Sequence, residues 1–180
     1  SYVNGSVSGE PHSNSHNQGI SMATETLEKA RFNMVQQQIR PWDVFDQRVL
    51  DILETLPRDG FVPETYLDLA YADIEIPIGA GQQMMFPRVE ARLMQALDIQ
   101  PEDSILEIGT GSGYLTACLA KLGSRVVSLD TRAEFTRQAA ERLAAHGIDN
   151  VELQTSDGLA SPHASGPFDV IAVTGSLPQL

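Results

Sequence analysis

The chain has 180 residues, 42% of them hydrophobic, with 24 acidic side chains against 12 basic ones and a formal net charge of −12. That is one domain's worth of sequence, long enough to bury a core, and its charge disfavours nucleic acid and anionic lipid, both of which would repel it. Cys118 is the single cysteine, so no intrachain disulfide can form. No apolar run approaches the roughly 18 residues of a membrane span and no basic-then-apolar signal segment opens the sequence, so the expectation is a cytoplasmic protein without a membrane partner.

Residues 1–21, SYVNGSVSGEPHSNSHNQGIS, are rich in Ser, Asn and Gly and show no periodicity. They read as a disordered or appended leader, with Met22 as the natural start. His12 and His16 lie there without cysteines or clustered carboxylates, so no metal site is expected. From Ala23 the texture becomes helical. Leu27, Arg31 and Met34 fall along one side, with Phe32, Val35 and Ile39 in a neighbouring stripe. Glu25 and Glu28 suit the first turn, and Pro41 stops the helix after Arg40. A second helix fits 46–56, with Val49, Leu50, Leu53 and Leu56 inward. Residues 61–87, FVPETYLDLAYADIEIPIGAGQQMMFP, form a long irregular stretch whose Tyr, Ile and Met content argues for a functional loop rather than disorder. Pro87 opens a third helix with Val89, Leu93, Ala96 and Leu97 as its apolar face.

After Pro101 short apolar strands alternate with helices: SILEI (104–108), a helix over GYLTACLAKL closed by Gly123, RVVSL (125–129), a helix over 131–146 closed by Gly147, VELQ (151–154) and FDVIAV (168–173). This pattern predicts an α/β fold, a doubly wound parallel sheet with right-handed crossovers and an N-terminal helical extension. The expected organisation is a leader (1–21), N-terminal helices with an acceptor-side loop (22–100), and a Rossmann-like ligand-binding core (101–180). The run Val170–Ile171–Ala172–Val173 reads as a strand covered on both faces inside the sheet. It lies only seven residues before Leu180, so either the chain is a fragment of a longer protein, with further strands of the core missing, or a partner supplies the missing edge; the fragment is the expectation.

The chemistry concentrates at the ends of these strands. Gly109, Gly111 and Gly113 follow the first core strand with the spacing G-x-G-x-G, and Tyr114 stands where the dinucleotide fingerprint needs its third glycine. Asp130 ends the second core strand, where a carboxylate can accept from both hydroxyls of a ribose. Asp157 and Gly158 follow the third, where a carboxylate can accept from the exocyclic amine of adenine. Together they indicate an adenosine ligand. Glu107, two residues before Gly109, brings negative charge to the turn, which is awkward for a pyrophosphate and favourable for a cation. The reading that follows is S-adenosylmethionine, with its sulfonium and α-ammonium, rather than a nicotinamide dinucleotide.

ILEIGTGSGYLTACLA, VVSLD, VELQTSDGL and FDVIAVTGS resemble the successive motifs of the protein-L-isoaspartate O-methyltransferases. Upstream, MVQQQIR, DQRVLDILETLPRDGFVPE, AYADIEIPIGAGQ and MQALDIQPEDSILEIG resemble that family's N-terminal half, so that the likeness covers about residues 30 to 180. The resemblance implies a class I methyltransferase fold and S-adenosylmethionine as cofactor. It places contacts to the methionine part on Glu107, Gly109, Thr110, Gly111 and Gly113, to the ribose on Asp130 with Thr131 beside it, and to the adenine on Asp157 and Gly158. It also implies methyl transfer to a carboxylate on a peptide or protein. The family's loop before the third helix reads G-Q-T-I-S, its serine being credited with a catalytic role. Here the loop is Gly81-Gln82-Gln83-Met84-Met85, so Gln82 to Met85 become an altered acceptor-side loop, and no catalytic side chain is assigned. The alternative reading is a non-catalytic module that keeps the fold for binding or regulation.

Overall fold

The structure, a computed structural model, describes residues 15–157 and 166–175, with side chains from Met22 onward. The expected leader therefore lies in part outside the described residues. Its last part does not behave as one, because helix α1 (Ser15–Met34) starts seven residues before Met22.

α1 does not run on to Arg40. Pro41 has no N–H and its ring crowds the carbonyl four residues back, and the chain loosens ahead of it into a π-helical turn (Val35–Ile39) and a 3-10 turn (Arg40–Trp42). Met34, Val35 and Ile39 are buried as expected, whereas Phe32 is 57% exposed and belongs to no core stripe. α2 (Gln47–Thr55) is capped by the Asp46 carboxylate, which accepts from the Arg48 and Val49 amides at 2.9 and 3.4 Å. Its four expected inward positions, Val49, Leu50, Leu53 and Leu56, are all buried.

A 3-10 turn (Arg58–Phe61) leads into the stretch expected to be irregular, which contains a second one (Glu64–Leu69) and then an antiparallel hairpin, β1 (Ile76–Gly79) with β2 (Gln82–Met84). Its two-residue turn, Ala80–Gly81, has φ of 54° and 71°, the positive values that match the twist of paired strands. α3 (Pro87–Leu97) begins at its proline as expected. Its buried face is rotated from the expected one, however. Pro87, Glu90, Ala91 and Met94 face the interior, Leu93 and Leu97 are half-buried, and Ala96 is exposed.

Strands β3 (Ser104–Ile108), β4 (Arg125–Asp130), β5 (Val151–Thr155) and β6 (Val170–Val173) form a parallel sheet in the order β5-β4-β3-β6. From β3 the chain steps outward to β4 and β5, then returns to β3's other side as β6. That reversal opens a crevice at the carboxyl ends of the strands, where ligands of such sheets bind. α4 (Tyr114–Leu122) and α5 (Ala133–Ala145) follow β3 and β4. The N-terminal helices, α4 and one face of the sheet share one hydrophobic core, while Leu106, Val127 and Leu129 make a smaller cluster on the other face. The last strand departs from expectation. β6 pairs with β3 alone among the described residues, and Ile171 and Val173 are 58% and 47% exposed. Among the described residues, no helix is long and apolar enough to cross a membrane.

The Asp46 cap holds the start of a helix whose apolar face is fully committed to the core. Asp46→Ala is expected to lower stability by about 1 kcal/mol, as loss of an N-cap carboxylate does, and urea denaturation with an unchanged slope would show it.

Candidate functional site

The carboxyl ends of β3, β4, β5 and β6 border a cavity of about 1200 Å³, open solvent at its mouth included. Its walls come from the glycine loop, the β4 end (Leu129–Arg132), Ser156 and Asp157 after β5, Thr174 and Gly175 after β6, and the hairpin with the start of α3.

The glycine loop is tied down by its own backbone. The Gly109 and Thr110 amides donate to the Leu129 carbonyl at 2.8 and 3.2 Å, and the Gly113 amide donates to the Thr110 carbonyl at 3.0 Å. The Asp130 carboxylate accepts from the Gly111 amide through Oδ2 and from the Arg132 amide through Oδ1, both at 3.0 Å. The three glycines carry φ of 106°, 53° and 89°, which side chains rarely adopt, but their surroundings differ. A Cβ on Gly109 would lie 2.4 Å from the Gly175 amide nitrogen, and one on Gly113 would lie 3.0 Å from Ala139 Cβ on α5. Gly109 thus admits the chain that follows β6, and Gly113, which does not border the cavity, admits α5. Gly111 has only the Ile78 side chain nearby, at 3.4 Å.

Glu107 was expected to face the ligand; it stands behind the loop instead. It is fully buried, does not border the cavity, and accepts through Oε1 from the Thr116 hydroxyl and from Ser128 Oγ at 2.6 Å. Thr110 Oγ1 in turn lies 2.6 Å from Ser128 Oγ. Because the Ser128 proton goes to Glu107, Thr110 is the donor, and Glu107 reaches the loop through two hydroxyls. Burial pushes the Glu107 carboxyl up to about 7, against the pull of hydrogen bonds from Ser128 and Thr116.

The carboxylate that borders the cavity from the N-terminal half is Glu90, in the first turn of α3 and 3% exposed. Arg58, with no exposure at all, donates from Nη1 to Glu90 Oε1 and from Nη2 to the Met85 carbonyl, each at 3.0 Å, and its guanidinium sits 4.8 Å from the Tyr114 ring centroid. Burial raises the Glu90 carboxyl and the Arg58 guanidinium opposes that rise. Three residues that border the cavity carry a buried side-chain oxygen without a partner in the protein, Glu90 Oε2, the Tyr114 hydroxyl and Ser156 Oγ, and Glu107 Oε2, outside the lining, is another.

Of the residues singled out in the sequence, Gly109, Thr110, Gly111, Asp130, Thr131, Asp157, Gln82, Gln83, Met84 and Met85 all border this one cavity. Gly158 lies outside the described residues. Sequence reasoning missed Glu90, Ser156, Arg132 and the chain after β6. Glu90 had no local signal, since an acidic residue in a first turn is what the helix dipole favours anyway, and its partner lies 32 residues away. Among the described residues, no group of acidic, histidine or cysteine side chains is placed to hold a metal.

Strand order, glycine loop and the acidic residue after the second core strand define a class I methyltransferase fold. The family model described as Protein-L-isoaspartate(D-aspartate) O-methyltransferase (PCMT) matches residues 29–180, and the chain belongs to that family, whose cofactor is S-adenosylmethionine. It is 37% identical over 159 residues to a protein-L-isoaspartate O-methyltransferase of Methanoculleus marisnigri, covering 88% of this chain and 72% of the relative. It is 40% identical over 147 residues to one of Rhodopseudomonas palustris, covering 82% and 67%. A solved protein-L-isoaspartate O-methyltransferase superposes with a TM-score of 0.68 at 26% identity, over 82% of this chain and 47% of the other. The chain therefore spans about two thirds of the length of those curated relatives and under half of that structure.

The environment of Glu107 has a consequence for stability. A carboxyl whose value is raised on folding holds its proton more tightly folded than unfolded, so its contribution is lost as pH climbs from the ordinary value of 4.5 towards about 7. Glu107→Gln removes that term. The stability difference between Glu107→Gln and the native protein is expected to grow in favour of the variant across this window and level off above it. Urea denaturation over a pH series measures it, and a constant difference would contradict the assignment.

Proposed function

We propose that the chain binds S-adenosylmethionine across the ends of β3, β4 and β5, and that the protein it belongs to transfers the methyl group to a carboxylate on a peptide or protein. The observation that carries this reading is the joint placement of the glycine loop and Asp130. The loop is pinned to the end of β4 by Leu129, and the carboxylate that braces Gly111 keeps further lone pairs free for ribose hydroxyls. Gly109, Thr110 and Gly111 lie against the methionine part. Glu107 supports them through Ser128 and Thr110, and Gly113 through its packing on α5. Asp130 and Thr131 take the ribose, and Asp157 with Gly158 takes the adenine. The lining fits such a ligand: among the described residues Glu90, Asp130 and Asp157 are acidic and Arg132 alone is basic, which favours a cation-bearing molecule.

When bound, S-adenosylmethionine supplies an electrophilic methyl group on a sulfonium. The chain's own share is positioning, because an acceptor carboxylate is already a nucleophile and needs no base to make it one. Residues 22–100 provide the acceptor side and 101–180 the cofactor side, with Gln82, Gln83, Met84 and Met85 where the two meet. Met85 holds the place of the family's serine and has no hydroxyl to orient an acceptor; its backbone carbonyl is occupied by Arg58. The acceptor wall is accordingly more apolar, and the acceptor differs from a plain isoaspartyl peptide. Net charge of −12 fits a cytoplasmic protein with neither nucleic acid nor membrane as partner.

Asp130→Ala is expected to weaken S-adenosylmethionine binding by about 1–3 kcal/mol, the cost of leaving buried hydroxyls unmatched; unchanged affinity by calorimetry would sink the cofactor reading. In a methyl-transfer assay on the full-length protein, isoaspartyl peptides should turn over poorly. The double substitution Gln83→Thr with Met85→Ser should raise that rate if the loop is what limits it. Native turnover equal to that of a serine-bearing relative would show that the substituted loop does not set the acceptor.

A further inference from the structure

We infer that Glu90 receives the α-ammonium group of the cofactor's methionine part on its Oε2, and that Arg58 is the residue that holds the carboxylate there. The inference rests on the cofactor reading above and assigns a contact which the glycine-loop motif does not contain. Glu90 is 3% exposed, borders the cavity, and leaves Oε2 without a partner in the protein. The guanidinium opposite directs its terminal nitrogens to Oε1 and to the Met85 carbonyl, and no donor of the protein reaches Oε2. A buried carboxylate oxygen facing a cavity and lacking a donor costs free energy unless the occupant supplies one.

Position and chemistry select the donor. Asp130 and Asp157 border the cavity at the ends of β4 and β5, where the adenosine lies, and Glu90 is the carboxylate bordering it beside Met84, Met85 and Tyr114. Of the cofactor's two cationic groups, the sulfonium has no N–H to give. The ammonium has three donors, and its charge answers that of the carboxylate. Glu107, the acidic residue of the glycine motif, does not compete. Its Oε2 is also without a partner, but the residue lies outside the cavity lining, and its Oε1 is engaged by Thr116 and Ser128. The buried ion pair thus becomes a recognition device: Arg58 fixes one carboxylate oxygen so that the other meets the ligand.

Calorimetry on the full-length protein tests this with three ligands: S-adenosylhomocysteine, its analogue lacking only the α-amino group, and 5′-methylthioadenosine, which lacks the amino-acid part altogether. The native protein should bind S-adenosylhomocysteine about 10- to 100-fold more tightly than the desamino analogue, the range of a hydrogen bond between charged groups. Glu90→Gln should lose most of that preference while binding 5′-methylthioadenosine as the native protein does. Should this variant fail to fold, the double substitution R58M/E90L removes the pair as a unit, a change buried ion pairs often tolerate, and carries the same comparison. Equal affinity of the native protein for both amino-acid ligands overturns the inference and leaves the cofactor reading standing. So does a variant that keeps the preference, or one that loses 5′-methylthioadenosine to the same extent. Absence of any S-adenosylhomocysteine binding overturns both.

Discussion

A guanidinium with no exposure to water must be answered where it lies, and in this chain that requirement joins the N-terminal half to the site. Arg58 comes from the 3-10 turn after α2, Met85 from the end of the hairpin, Glu90 from α3 and Tyr114 from the first turn of α4. Removing either charge would leave the other buried and unpaired, a loss of about 3–5 kcal/mol in comparable pairs. Four segments that are separate in sequence are therefore fixed against one another at the rim of the cavity. Through Arg58 the end of the hairpin, at Met85, is tied to the start of α4, which follows the glycine loop.

Beneath the glycine loop lies a second polar layer of different character. Glu107, Thr116, Ser128 and Thr110 form a buried chain of hydroxyls ending on one carboxylate. Ser128 stands beside Glu107 in the register of β3 with β4, so ordinary parallel pairing brings the two together. The layer gives the loop a fixed floor, while the Leu129 carbonyl and the Asp130 carboxylate hold its edge. A binding loop made of glycines, each with access to many conformations when unfolded, is in this way left with one.

In the reading proposed above, Met85 stands in place of the family's serine and alters the acceptor side alone. The hydrogen bonds that hold the glycine loop come from the loop itself and from the end of β4, and none passes through the Met85 side chain. Fold and cofactor site can persist while the acceptor pocket changes, since function resides in sites carried by a fold and not in the fold itself.

The sequence by itself determined the sheet. The strands at 104–108, 125–130, 151–155 and 170–173 appear where alternating short apolar runs placed them, because a strand buried between helices must be apolar along its length and glycines must close the turns. It also determined the residues at the strand ends, since Gly109, Gly111, Asp130 and Asp157 belong to a local motif tied to one topology. Other features were decided only in three dimensions. The hairpin at 76–84 owes its strands to pairing with each other rather than to periodicity, and Pro41 turned the end of α1 into a π-turn instead of a clean stop. The buried face of α3 was set by Glu90 seeking Arg58, a polar pair that inverts the apolar pattern from which the face was read. Glu107 stands behind the loop for a similar reason: spacing places an acidic residue two positions before the first glycine, but the alternation of side chains along β3 and the hydroxyls of α4 and β4 decide which way it points.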